Sequence, residues 1–147
     1  MPDASNMRIA LIVSAWNGEI TESLFKAASD TLLQAGCPAE NIFRHDVPGS
    51  FELPLGAKWA LDAHHPDAVI CLGCVIRGET SHFDFICDSV SHGIMQLQLS
   101  YGIPVTFGVL TTENHQQAID RSGGKHGNKG VEAAATAIQM VALRKKI

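Results

Sequence analysis

Four apolar, strand-like runs alternate with stretches of helical periodicity along this sequence, and that alternation leaves few folds open. Residues 7–14 (MRIALIVS) are nearly all apolar, as expected of a strand covered on both faces. Helical spacing follows over 21–35. Ile20, Leu24, Ala28 and Leu32 recur four apart, Gly36 stands where a C-terminal cap belongs, and Pro38 follows. A weaker strand covers 41–47, and its polar Arg44, His45 and Asp46 make it an expected edge strand. The next helix is predicted over 50–63, with Ser50 as N-cap, Glu52 in the dipole-favoured first turn and Pro54 early enough to be tolerated. A third strand, 68–76, leads to a helix over 82–101 that Gly102 and Pro104 end, and a fourth strand occupies 105–111. Helices over 114–120 and 129–143 close the chain, joined by a glycine-rich connector at 122–128. Strands alternating with helices of this length imply right-handed crossovers and a parallel sheet with helices on both faces. The expected fold is α/β, a flavodoxin-like three-layer α/β/α sandwich on a four-stranded parallel sheet.

With 147 residues, the chain is expected to form one domain, 1–147, in which only residues 1–6 are flexible. Its 46% apolar and 18% charged residues exclude a disordered, solvating segment. A net charge of −4 speaks against nucleic acid as a partner, since that binding needs a basic field to displace counterions. No uninterrupted apolar run approaches the roughly 18 residues of a membrane span. The short polar opening predicts neither a signal peptide nor a transit sequence, so cytoplasmic placement is the expectation. Of the four cysteines, only Cys71 and Cys74 have a suggestive spacing. On a strand, residues three apart point to opposite faces, so these two read as small buried hydrophobes.

In parallel α/β sheets, ligands bind beyond the carboxyl ends of the strands, and the unusual residues of this chain collect there. Ala15-Trp16-Asn17-Gly18 follows the first strand and Pro48-Gly49-Ser50-Phe51-Glu52 the second. Arg77-Gly78-Glu79-Thr80-Ser81-His82 follows the third, and Thr111-Thr112-Glu113-Asn114 the fourth. Together they offer an indole, a phenyl ring, carboxylates, hydroxyls, an amide and an imidazole. That mixture suits a flat polar ring stacked on aromatics, with hydrogen bonds at its edges, although Ser50 and Asn114 also read as helix caps. Residues 78–81 lead into a helix, and free backbone N–H groups there form an anion site. Glu79 can serve such a site only through its N–H. Arg121 opens the cationic stretch 121–129, and a guanidinium matches a terminal phosphate; the alternative is a solvated helix connector. His82 stands beside the anion loop, and an imidazole exchanges protons near neutrality. The other six histidines read as solvated, and no spacing makes a metal set.

PGSFELP (48–54), GCVIRGETSHFD (73–84), PVTFGVLTTEN (104–114) and RSGGKHGNKG (121–130), in this order and spacing, resemble the lumazine synthases of riboflavin biosynthesis over about residues 7–143. The resemblance implies condensation of 5-amino-6-(D-ribitylamino)uracil with 3,4-dihydroxy-2-butanone 4-phosphate to 6,7-dimethyl-8-ribityllumazine, with release of phosphate and water. It implies no metal and no organic cofactor. By position, Trp16 matches the aromatic that stacks on the pyrimidine, commonly Phe in the family. Asn17, Ser50, Phe51 and Glu52 match residues that hold the ribityl chain and ring edge, and Val75, Ile76 and Lys129 line the same substrate. Glu79 and Thr80 match the phosphate loop, Arg121 its cation, and His82 the proton-transfer residue. Phe107 matches a residue that reaches over the ring from the adjacent subunit. Cys74 and Asp84 depart from the usual choices, and the resemblance gives neither a chemical role.

The resemblance further implies a homo-oligomer: a pentamer with active sites between subunits, and association with riboflavin synthase. Residues 122–128 carry no insertion of the kind that blocks a 60-subunit shell, so the icosahedral capsid is the expected assembly. The sequence adds its own argument. Phe83, Phe85, Val90, Ile94, Met95 and Leu99 spread round more of the 82–101 helix than one sheet face can cover. A flavin-binding electron carrier of the same fold is the rival reading, for which 14–19 makes a poor phosphate loop. A non-catalytic ligand-binding relative is the third.

Overall fold

The computed structural model describes residues 1–147. Four parallel strands, β1 (Ile9–Ser14), β2 (Ile42–Val47), β3 (Ala68–Ile76) and β4 (Val105–Thr112), form one sheet in the order β2-β1-β3-β4. Five helices connect or flank them: α1 (Gly18–Gln34), α2 (Leu53–His64), α3 (His82–Tyr101), α4 (His115–Asp120) and α5 (Lys129–Lys146). Ile9 of β1 pairs with Ile42 of β2 on one side and Ala68 of β3 on the other. β2 is thus an edge, as its polar residues indicate. The chain leaves β1 toward β2 and then returns across it to β3, so the direction of winding reverses between β1 and β3, the place where open α/β sheets form a crevice.

Strand alternation divides the core into two layers. Leu11, Val13, Ile70, Leu72 and Cys74 face α1 and α5, meeting Leu24, Ala28 and Leu32 of the one and Ala134, Ala137 and Ile138 of the other. Ala10, Ile12, Val69, Cys71 and Val109 face α2 and α3, meeting Leu53, Ala57, Leu61, Val90 and Ile94. This is the flavodoxin-like three-layer sandwich the alternation implies. The two cysteines of the Cys71–Cys74 pair lie in opposite layers, both as free thiols. Burial pushes Cys71 up to about 12 and Cys74 up to about 11, so neither is a nucleophile at neutral pH.

Several element ends differ from the periodicity. α1 begins at Gly18 rather than 21, because Asn17 takes a left-handed conformation (φ 60°) that turns the chain directly into the helix. It ends with Gly36 N–H on Leu33 O and Cys37 N–H on Leu32 O, a paired closure that Gly36 permits at φ 97°. Ser50 does not cap a helix: Ser50–Glu52 is a 3₁₀ turn whose first cap position is Gly49, and α2 starts only at Leu53. Asn114 does cap α4, accepting the Gln117 N–H. The connector is not a plain loop, since β5 (Ser122–Gly124) and β6 (Gly127–Asn128) pair antiparallel within it. Among the opening residues expected to be flexible, Ala4 is buried in the first layer and donates its N–H to Ala35 O at 2.8 Å. No helix is long and apolar enough to cross a membrane.

Candidate active site

The crevice between β1 and β3 is built by backbone bonds that outrun the strands. Ala15 N–H donates to Val47 O (2.8 Å) and Trp16 N–H to Pro48 O (3.1 Å), so the first loop stays extended beside the second. The Asn17 amide then donates to the carbonyl of Cys74 at 3.0 Å, tying that loop to β3. Held this way, the Trp16 indole is 72% exposed and the Phe51 ring, on the 3₁₀ turn, is 56% exposed. Both rings therefore lie outside the core, with faces free to stack against a flat molecule.

Trp16, Asn17, Ser50, Phe51, Val75, Ile76 and His82 line one cavity of about 400 Å³, joined by Gly49, Cys74 and Ile86. Trp16, Asn17, Ser50, Phe51 and His82 come from three of the loops beyond the strand ends, and Val75 and Ile76 from the end of β3 itself. Ser50 supplies its most unusual group: the hydroxyl is buried and has no hydrogen-bond partner. Leaving a buried donor unpaired costs about 1–3 kcal/mol, a cost that a polar ligand group reaching it would remove. Its position depends on Gly73, where an added Cβ would stand 2.6 Å from Ser50 Oγ and 3.0 Å from Leu53 Cδ1. Gly73 opens the GCVIRGETSHFD stretch, yet its role cannot be read there, because a glycine inside an apolar strand bears no group that points to one. Glu52 is half-buried beside this cavity, its Oε1 lying against Gly49.

Glu79 and Thr80 lie exposed on the loop between β3 and α3. Thr80 Oγ1 accepts the His82 N–H at 3.3 Å, while the N–H groups of Gly78, Glu79, Thr80 and Ser81 find no acceptor in the chain. They precede a 20-residue helix, whose dipole favours an anion at that end. His82, its first residue, joins this loop to the cavity.

The remaining three predicted residues stand elsewhere. Phe107 and Lys129 line a second cavity of about 370 Å³ between α3 and α5, along the open edge of β4. Lys129 Nζ lies 3.6 Å from Glu132 Oε1. Arg121 ends α4, donates to Gln117 O at 3.1 Å, and lines neither cavity. No three His, Cys, Asp or Glu side chains gather as metal ligands. Two histidines read as solvated in fact meet: His45 and His64 place their Nε2 atoms 2.7 Å apart, with His64 stacked on Phe43. Nineteen residues separate them, and no pattern along the chain links them.

A parallel α/β sandwich with exposed aromatics, an unpaired hydroxyl and an imidazole at its switch-point crevice is built as an enzyme for flat, polar small molecules. The family model described as 6,7-dimethyl-8-ribityllumazine synthase matches residues 6–145. The chain is 56% identical over 142 residues to the 6,7-dimethyl-8-ribityllumazine synthase of Cytophaga hutchinsonii, covering 97% of this chain and 89% of that protein. It is 54% identical to the synthase of Parabacteroides distasonis, over 96% of this chain and 88% of that protein. With the synthase of Flavobacterium johnsoniae the identity is 52%, over 99% and 77%. The chain belongs to the 6,7-dimethyl-8-ribityllumazine synthase family.

Proposed function

We propose that this protein condenses 5-amino-6-(D-ribitylamino)uracil with 3,4-dihydroxy-2-butanone 4-phosphate to 6,7-dimethyl-8-ribityllumazine, releasing phosphate and water, as the penultimate step of riboflavin biosynthesis. The observation that carries this reading is the cavity joining Trp16, Phe51, Ser50 and His82 beside an anion-binding loop. Trp16 stacks on the pyrimidine, Phe51, Val75 and Ile76 enclose it, and Asn17, Ser50 and Glu52 hold its polar edge and ribityl chain. Free N–H groups of the Glu79–Thr80 loop bind the phosphate of the second substrate. The amine of the first substrate attacks the ketone of the second and the adduct loses water to an imine, so no enzyme nucleophile is needed. Phosphate leaves by elimination, the enol left behind becomes a ketone, and the ribitylamino nitrogen condenses with that new carbonyl, losing a second water as the ring closes. His82 moves protons in these steps, and Arg121 neutralises the departing phosphate.

In this reading, Arg121, Phe107 and Lys129 act on the site of an adjacent subunit in a pentamer. The location of Phe107 and Lys129 in a separate cavity on the β4 edge supports that division. The pentamers build an icosahedral shell of 60 subunits in the cytoplasm that associates with riboflavin synthase. Mixing both substrates with the purified protein should yield a green-fluorescent product. A protein that stays dark with both substrates, while each binds, overturns the reading.

A further inference from the structure

Arg77, to which the family resemblance gives no role, closes the anion-binding loop from both ends. It follows the last residue of β3, and its N–H donates to Thr112 O at 2.8 Å. Its guanidinium reaches over the loop to the first turn of α3, giving Nη2 to Asp84 Oδ1 at 3.0 Å and Nη1 to Asp84 Oδ2 at 3.3 Å. Its Nε lies 2.9 Å from Glu113 Oε2, just beyond β4. The plane of the group rests on the Phe83 ring, 4.4 Å from its centroid. One side chain thus pins residue 77 to residue 84, so the segment 78–83, which carries Glu79, Thr80 and His82, is closed into a ring. Two carboxylates already neutralise that cation, so it has little charge to offer a substrate. What it supplies is shape: a forked, planar donor that ties two loops and leans on an aromatic, a geometry a lysine point charge cannot reproduce.

We infer that Arg77 is a positioning residue of the proposed synthase reaction, holding the Gly78–Ser81 amides and His82 in the arrangement that receives the phosphate-bearing substrate. This rests on the reading of that loop as the phosphate subsite. Asp84 and Glu113 are its working partners. A substitution that keeps the charge but loses the fork should therefore act on one substrate and spare the other.

The test compares Arg77→Lys and Glu113→Gln with the wild type. Arg77→Lys should raise KM for the butanone phosphate, and the inhibition constant of inorganic phosphate, about 10- to 100-fold, the range expected for misplacing a bound group by about 1 Å. KM for the ribitylaminouracil should stay within about twofold, well inside the tenfold that 1.4 kcal/mol represents. Glu113→Gln, which leaves the Asp84 fork intact, should shift the phosphate terms in the same direction by a smaller factor. Calorimetric titration of inorganic phosphate reads the same ratio without turnover. If the wild type binds phosphate but makes no lumazine, the reaction assignment fails while the affinity ratio still decides the role of Arg77. Unchanged phosphate affinity in Arg77→Lys, or equal losses for both substrates, overturns the inference.

Discussion

In the proposed reaction His82 and Arg121 have unequal shares, and magnitudes set the order. Proton transfer by a positioned side chain contributes about 10²–10⁴-fold, whereas orienting two bound reactants supplies about 7–11 kcal/mol. His82→Ala should therefore keep measurable turnover, and Arg121→Ala should lose more in kcat/KM, through the phosphate substrate. Steady-state kinetics with each substrate varied checks this, and complete inactivation by His82→Ala alone would reverse the ranking. Gly73 offers a second prediction. A Cβ there would stand 2.6 Å from Ser50 Oγ, closer than real side chains approach, and 3.0 Å from Leu53 Cδ1, a tight contact, so Gly73→Ala should cost about 1–3 kcal/mol as an overpacked core. It should also raise KM for the ribitylaminouracil by displacing Ser50. Urea unfolding at fixed protein concentration and the same kinetics would test both. Trp16 and His82 stand out along the chain by their place in loops beyond the strand ends and Arg121 by its cationic, glycine-rich stretch; Gly73 does not, since what matters there is the lack of a side chain.

Among the elements, β2 and α2 meet through a stack that the hydrophobic pattern does not announce. His64, on the last turn of α2, packs flat on Phe43 at 4.4 Å between centroids and shares a contact with His45 of β2. Arg8 lies over the same Phe43 ring and donates to His64 O at 2.9 Å. Two imidazole nitrogens this close share one proton, and charging both rings would break the contact. Burial, then the proximity of His45 and Arg8, holds the His64 pKa below its ordinary 6.5. The unfolded chain, titrating at the ordinary value, takes up more protons as pH falls through it, so stability declines on acidification below that point. Thermal melts across about pH 5 to 7 should show this slope, and His64→Phe, which keeps the stack and removes the titration, should flatten it. Apolar runs of four or more residues made the central strands legible, and Gly36 and Asn114 were legible as caps, whereas Ser50 and the short β5–β6 pairing were not. Ser50 left the helix-cap role because its turn winds as 3₁₀. The 122–128 hairpin has no apolar alternation to signal it.

Across the whole molecule, the surface carries more apolar area than a solitary domain needs. α3 buries Phe83, Val90 and Ile94 against the sheet, yet Phe85 is 69% and Leu99 78% exposed, with Met95 between them and Leu55 and Trp59 on neighbouring α2 also uncovered. Exposed apolar side chains in this number are what association with further copies of the chain would cover. The open β4 edge, with Phe107 and Lys129 in a cavity of its own, adds a place for a neighbour. Analytical ultracentrifugation at micromolar concentration should give a pentamer or a multiple of it, and electron microscopy should distinguish the single ring from the closed shell. A sedimenting monomer would contradict the assembly. Leu99→Glu should weaken association, because a charge carried into an apolar contact must be desolvated without a partner.

Periodicity and composition were enough to determine the layered parallel sheet, the edge position of β2, the buried fate of Cys71 and Cys74, and the sheet end at which Trp16, Ser50, Phe51 and His82 gather. Each of these follows from which residues prefer water and how often they recur, which is a local property of the chain. Tertiary structure alone decided the meeting of His45 with His64, the burial of the Ser50 hydroxyl against Gly73, and the bridge of Arg77 to Asp84 and Glu113. It also parted the predicted site into a cleft around Trp16 and His82 and a second group around Phe107 and Lys129. Those outcomes depend on strand order and on where crossovers bring distant loops, and no residue carries that information in its own neighbourhood.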